Sequence, residues 1–436
     1  MTAMHRRRAA LVGTGHRAQL FTEGLARRDG LELVAFCDPN PVRMAHHNRL
    51  LTAAGRPEAR TYPPDAFERM LRSEGVEEVV VTTVDATHDA YIVPALRAGC
   101  RVVTEKPMTT DGERCRRILD TVAETGSPLA VAFNYRFNPV HERVRDELAA
   151  GAVGEVLSVH FEWLLDVRHG ADYFRRWHRE KANSGGLMVH KAGHHFDLVN
   201  WWLGARPRRV YGAGRLAFYG RANGQRTGLR RDYDRAHGAP AAADDPFALH
   251  LADNEGLRSL YLDAEGADGY QRDRNVFGDG ITIEDDMAVL VQYDTGASMS
   301  YHLTAYAPWE GYRVMFSGTG GRLELEVVES HWQRPSARLS SAKGAVHGDT
   351  ALDNAGGARI LLRPLWEPPR ELKVPEFDHA GHGGGDARML RTLYDGEPGP
   401  ASTAADGAWA LATGLAANAS FATGEAVDTA DVVRVP

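Results

Sequence analysis

Cysteine and lysine are scarce in this chain of 436 residues. Three scattered cysteines, Cys37, Cys100 and Cys115, are an odd set without metal-ligand spacing. They exclude a disulfide framework and suit reduced intracellular thiols. Long apolar runs are missing too: none approaches the roughly 18 residues of a membrane span. The apolar stretch after the basic Met1–Arg8 breaks at Gly13, too soon for a signal peptide. A cytoplasmic location is therefore expected, with no membrane partner. Positive charge is not in excess either, since 58 acidic against 51 basic side chains leave a formal charge of −7. That balance argues against nucleic acid as a partner. An apolar content of 43% excludes global disorder.

Only Lys106, Lys181, Lys191, Lys343 and Lys373 are lysine among the 51 basic residues. In so arginine-rich a chain, a retained lysine hints at a position where arginine would not serve. Arginine cannot lose its proton, whereas a buried lysine can approach neutrality.

At about 150 residues per domain, the length suggests two or three domains. Up to about residue 138, short β-branched runs alternate with helical segments. Strands are predicted at Ala9–Val12, Leu31–Cys37, Val79–Thr83, Arg101–Val103 and Leu129–Phe133, and helices between them and at Pro139–Ala149. This alternation implies βαβ units and a doubly wound parallel sheet. Residues 139–436 read as an α+β domain. Its predicted strands are Val156–Trp163, Val210–Tyr219, Met287–Tyr293, Ala297–Leu303, Tyr312–Ser317 and Arg322–Val327. Gly-rich turns between several of them point to an open, mostly antiparallel sheet. Leu187–Leu203 and Ala404–Thr423 read as helices. Residues 221–280 and 336–376 have little periodicity and read as insertions: solvated loops, or a lid or dimer arm.

Directly after the first strand stands Gly13-Thr14-Gly15-His16-Arg17-Ala18, with a helix following. The first glycine permits a tight turn, the second lets a pyrophosphate approach the backbone, and Ala18 takes the helix-packing position. The helix N-terminus offers free N–H groups to an anion. Asp38, at the end of the second strand, has the spacing of an acid that binds the adenosine ribose. It favours NAD over NADP, although Arg43 nearby leaves NADP open; Asp38 also suits a turn and helix cap.

Further on come Thr83-Val-Asp85-Ala-Thr-His88, Ala95-Leu-Arg-Ala-Gly99 and Val103-Thr-Glu105-Lys106-Pro107. With Asn134-Tyr135-Arg136-Phe-Asn-Pro139, Gly151-Ala-Val-Gly154 and His382-Gly-Gly-Gly-Asp386, the chain resembles the Gfo/Idh/MocA oxidoreductases, the relatives of glucose–fructose oxidoreductase and inositol dehydrogenase. That family has a TPNxxH-like segment, an ALxAG segment and an EKP motif in this order. The resemblance implies a Rossmann domain followed by an open sheet whose outer face often makes the oligomer, here a homodimer or homotetramer. It implies a nicotinamide between the domains and a sugar, cyclitol or similar polyol as substrate. The cofactor positions are Gly13, Thr14, Gly15, His16, Arg17, Ala18, Asp38, Thr83, Asp85, His88, Glu105, Lys106 and Asn134.

The family's EKP lysine, beside nicotinamide and substrate hydroxyl, falls on Lys106. The histidine of its Asp-x-x-x-His pair falls on His194, but the aspartate position is His190. Along Leu187–Leu203, Val189, Ala192, Phe196, Val199 and Leu203 form the buried stripe. The flank carries His190, Lys191, His194, His195 and Asp197, which is costly to bury without a ligand. Satisfied histidines at a domain interface are the plainer alternative. Zinc on His190 and His194 lacks a third ligand, and no metal is expected. Lys106 is the expected base, His194 shares the hydroxyl, and His190 replaces the missing acid as relay. Tyr135, Arg136, Trp163, Lys191, His195 and His382 are expected to hold the polyol. Arg175–Arg179 could meet an anionic substituent or be a solvated loop.

Three functions fit this reading. The first is net NAD(P)-dependent dehydrogenation of a sugar, sugar derivative or cyclitol. The second is a redox-neutral glycosidase or epimerase-like reaction through a transient 3-keto sugar on bound NAD. The third is a non-catalytic nucleotide-binding sensor.

Overall fold

The structure, a computed structural model, describes residues 6–332, 355–375 and 383–435. His382 and residues 336–354 of the second insertion lie outside them.

Six strands, β1 (Arg7–Val12), β2 (Leu31–Cys37), β3 (Arg60–Tyr62), β4 (Glu78–Val81), β5 (Arg101–Thr104) and β6 (Leu129–Val131), pair in parallel in the order β6-β5-β4-β1-β2-β3. Ala9–Val12 and Val79–Val81 are fully buried, as strands covered on both faces must be. The connections reverse direction between β1 and β4, and in such sheets ligands enter at the strand C-termini beside that reversal. The strand expected to reach Thr83 stops at Val81, which frees Thr82 and Thr83 to face Gly13.

The second sheet contains β7 (Val156–Asp166), β8 (Pro207–Arg215), β9 (Asp286–Tyr293), β10 (Ser298–Ala307), β11 (Glu310–Gly318), β12 (Gly321–Ser330), β13 (Ala355–Pro364) and β14 (Arg370–Leu372). Their order is β14-β13-β12-β11-β7-β10-β9-β8, antiparallel except for β7 with β10. Along β9 Met287, Val289, Val291 and Tyr293 are buried in alternation, and helix Ala404–Thr423 packs against both β8 and helix Ala192–Leu203. Helix Ala404–Thr423 is built of small residues because its backbone lies close: a Cβ at Gly414 would sit 2.6 Å from the Met188 carbonyl oxygen.

The C-terminal part returns to the first domain. Helix Gly385–Tyr394 places Met389 and Leu390 in its core, and β15 (Ser402–Thr403) adds antiparallel to β6. The 336–376 stretch is not all loop, since β13 and β14 extend the sheet; Ile360 and Leu362 alternate inward, a pattern the surrounding Gly and Arg residues disguise.

Residues 221–280 are not solvated loops either. They form short helical turns around two apolar clusters of their own, including Leu249, Leu251, Leu257 and Leu260. Among the described residues no helix is long and apolar enough to cross a membrane.

Candidate active site

Gly13 closes β1 with φ +86°, and a Cβ there would lie 2.6 Å from the Thr83 nitrogen, so the loop after β4 can approach only glycine. A Cβ at Gly15 would meet nothing within 4 Å, so the loop is open on that side. Ala18 is fully buried at the start of α1 (Ala18–Ala26). Asp38 accepts from the Thr14 N–H at 2.6 Å and the Asn40 N–H at 2.7 Å, joining the loops after β1 and β2. Burial raises its pKa, against these N–H groups. Asn40 caps α2 (Pro41–Ala53). Asp38 is thus a turn residue and a buried acid at once. A glycine turn open on one side, a helix N-terminus and an acid on the neighbouring strand fit a dinucleotide.

Several residues expected at the cofactor bind one another. Arg17 pairs with Glu105 at 2.5 Å and with Asp386 at 2.9 Å, and Asn134 donates to Asp386 at 2.7 Å. The Lys106 N–H donates to the Glu105 carboxylate at 3.2 Å. His88 lies 2.8 Å from the Pro107 carbonyl oxygen and 3.2 Å from that of Thr83. These contacts fix the Glu105-Lys106-Pro107 turn against the glycine loop.

The segment carrying His190 begins at Gly185 and Gly186, both at positive φ. Its expected single helix breaks at Lys191, leaving Leu187–His190 and Ala192–Leu203. The Lys106 Nζ donates to the His190 carbonyl at 3.1 Å and lies 3.3 Å from its Nε2, while His190 Nδ1 lies 2.5 Å from Asp85 Oδ2. The three therefore form a line: an ammonium donates to Nε2, and Nδ1–H donates to the carboxylate. Burial pulls Lys106 down to about 8, although Asp85 and Glu105 oppose it. Burial also lowers His190 and raises Asp85. Asp85, a cofactor position by its motif, is bonded to His190. The signal was a paired departure from the family pattern, with Asp85 where TPNxxH has asparagine and His190 where the helix has aspartate.

His194, one turn further, stacks on Tyr135 at 4.4 Å between ring centroids. The Lys191 Nζ donates to the Tyr135 hydroxyl at 2.9 Å and sits 4.3 Å from the Trp163 ring centre. Burial pulls Lys191 to about 8 as well, against Glu310 and Glu329. Trp163 and His195 are fully buried, stacked 4.1 Å apart. Arg136 is committed to Asp197 through bonds of 2.8 and 2.6 Å and to Asp406 at 3.2 Å. Such a buried bidentate pair has no free fork for a polyol.

The Arg175–Arg179 segment is no solvated loop, since Arg175, His178 and Arg179 are buried. His178 meets His190 edge-on at 4.1 Å, and ligand atoms of Asp85, His178 and His190 lie within 4.8 Å of one another. Lys106 already contacts that group, and its charge and that of Arg176 disfavour a cation there. Arg175, Arg176 and Arg272 converge on Asp172 at 3.2, 3.3 and 2.9 Å. Asp172 and Arg272 had no motif to reveal them.

Two family models match the chain: the NAD-binding Rossmann fold of the oxidoreductase family GFO_IDH_MocA over residues 7–133, and that family's C-terminal alpha/beta domain over residues 145–429. The YteT protein of Bacillus subtilis (strain 168), which carries an oxidoreductase name, is 34% identical over 384 residues, covering 84% of this chain and 82% of its own. An inositol 2-dehydrogenase of Rhizobium meliloti (strain 1021) is 30% identical over 203 residues, 47% of this chain and 57% of its own. Among solved structures, the WlbA dehydrogenase of Bordetella pertussis, in complex with NADH and UDP-GlcNAcA, superposes with a TM-score of 0.62 at 18% identity over 97% of this chain and 99% of its own. With both domains matched and the Lys106 turn set against the glycine loop, the chain belongs to the Gfo/Idh/MocA family of NAD(P)-dependent oxidoreductases.

Proposed function

We propose that this oxidoreductase oxidises a secondary hydroxyl of a sugar, sugar derivative or cyclitol, with NAD preferred and Lys106 as the base. The Lys106–His190–Asp85 line carries this reading. Bound nicotinamide supplies the hydride acceptor. Lys106, neutral in part near pH 8, takes the hydroxyl proton. Its ammonium then gives a proton to His190 Nε2 as His190 passes its Nδ1 proton to Asp85, whose carboxyl burial equips to hold it, so Lys106 and His190 both end neutral. His194 and Tyr135 orient the hydroxyl from the neighbouring turn. His88, Glu105, Asn134 and Asp386 are positioning residues that keep Lys106 against the glycine loop. Asp38 favours NAD because its carboxylate would repel a 2′-phosphate.

The outward face of the second sheet, where Tyr211 and Leu290 stand paired and exposed, supports assembly into a homodimer or homotetramer. Light scattering tests that assembly.

The activity is tested by screening sugars, cyclitols and glycosides with NAD+ and following reduced nicotinamide. Stoichiometric reduction with a stable keto product is the expected result. Glycoside cleavage without added cofactor, with solvent deuterium entering beside the transient ketone, would replace net oxidation by the redox-neutral reaction. Nucleotide binding without turnover of any of them would leave a sensor and overturn the proposal.

A further inference from the structure

The first insertion lies over the nucleotide end of the site. Asn40 donates to the Ala264 carbonyl at 2.9 Å, Arg43 donates to that of Leu260 at 3.1 Å and pairs with Asp268 at 2.8 Å, and Ser259 meets His46 and Arg49 of α2. Every one of these partners follows directly on Asp38, the residue placed to read the adenosine ribose. The insertion holds this position on its own apolar cluster, with Arg235 pinned between Glu265 and Asp273.

Its inner end reaches the glycine loop. The His16 N–H donates to the Tyr261 hydroxyl at 3.1 Å, so a side chain from the insertion occupies an anion-binding donor of that loop. Arg272 lies over the Tyr261 ring at 5.5 Å and is only 3% exposed. Its Nη2 bonds Asp172, while its Nη1 is buried and has no hydrogen-bond partner among the described residues. Burial first, and then the charges of Arg272 and Arg176, lower the His16 pKa to about 4. Three arginines therefore meet one carboxylate, Arg175 and Arg272 buried and Arg176 with 22% of its side chain exposed, leaving a surplus of positive charge around Asp172. Such a surplus is costly unless an anion joins it, and a dinucleotide's pyrophosphate carries two negative charges.

We propose that residues 249–272 are a clasp over the bound cofactor, in which Arg272 and Tyr261, with Arg176 from the second domain, hold the pyrophosphate opposite the glycine loop. The clasp blocks the adenosine side of the crevice, so the cofactor leaves slowly and is retained from one turnover to the next. This rests on the dinucleotide reading of the glycine loop and is independent of the role of Lys106.

The test is binding of ADP-ribose, which has the pyrophosphate and no nicotinamide, to the full chain, together with the release rate of NADH read by its fluorescence. Arg272→Gln should weaken ADP-ribose and speed NADH release by roughly 10–100-fold, the loss of a charge-assisted bond. Tyr261→Phe, which keeps the ring and its packing, should do so by a smaller factor and decides the matter if Arg272→Gln does not fold. Unchanged ADP-ribose affinity and NADH release in folded variants would overturn the clasp. So would a raised KM for acidic sugars alone, which would assign the arginines to a substrate carboxylate. Failure of the wild-type chain to bind either nucleotide would instead overturn the dinucleotide reading beneath it.

Discussion

Replacing Lys106 by arginine keeps the charge and removes the ability to be neutral. The size of the effect follows from the burial of the lysine. With its pKa pulled from 10.5 to about 8, roughly a tenth of Lys106 is neutral at pH 7, against about 0.03% for an ordinary lysine. Burial thus raises the competent fraction about 300-fold, and arginine forfeits all of it. Lys106→Arg should still bind NAD, because Arg17, Asp38 and the glycine loop are untouched, but lose about 10²–10⁴-fold in kcat. The sign of the pH dependence follows as well: a base must be deprotonated, so the wild-type rate should rise with pH through an ionisation near 8. Bound NAD+ carries positive charge on its ring and should move that limb lower in kcat than in kcat/KM. The assay is steady-state reduction of NAD+ across pH 6 to 10 with wild type, Lys106→Arg and Lys106→Ala. Near wild-type turnover by Lys106→Arg with an unchanged limb would refute the base assignment. The proton acceptor would then be sought at His194, or at Lys191, which burial brings to a similar value.

Asp38→Ala should weaken NAD by roughly 1.5–3 kcal/mol and improve NADP relative to it; an unchanged ratio of the two dissociation constants would leave Asp38 as a turn residue only. Asp85→Asn removes a charge that holds Lys106 up, so the rising limb of the pH–rate profile should move below 8 while kcat falls; an unmoved limb would separate Asp85 from Lys106. Arg136→Met should leave Asp197 buried without its partner and cost about 3–5 kcal/mol in urea denaturation. Asp197 already has its folded pKa raised to about 6, above its ordinary 3.8, so the native state binds the extra proton and stability falls as pH rises through that window. The loss in Arg136→Met should therefore be smaller at pH 5 than at pH 8, and a raised KM without a stability loss would return Arg136 to the substrate.

What could be read in advance depended on how local its cause was. Leu31–Cys37 is buried on both faces and Ala404–Thr423 ends at a left-handed glycine, so their bounds follow from neighbouring residues. Ala355–Pro364 escaped because its inward residues stand among glycines and arginines, and its pairing with β12 and β14 makes it a strand. Lys106 was legible from its motif and from the rarity of lysine. Asp85 and His190 stand 105 residues apart, and Asn40 stands 224 residues from Ala264, distances that no spacing rule spans. Arg136 was visible as a cation in a motif, but its commitment to Asp197 depends on where the helix Ala192–Leu203 packs.

The central claim, that this fold moves hydride from a carbinol carbon beside Lys106, is tested most directly by a single turnover. Enzyme loaded with NAD+ is mixed with the substrate found in the screen, deuterated at the carbinol carbon, and quenched for mass analysis of the nicotinamide. The account predicts one deuterium in the reduced ring, formed slowly in Lys106→Arg; product formed with no deuterium ever entering the nicotinamide would contradict it.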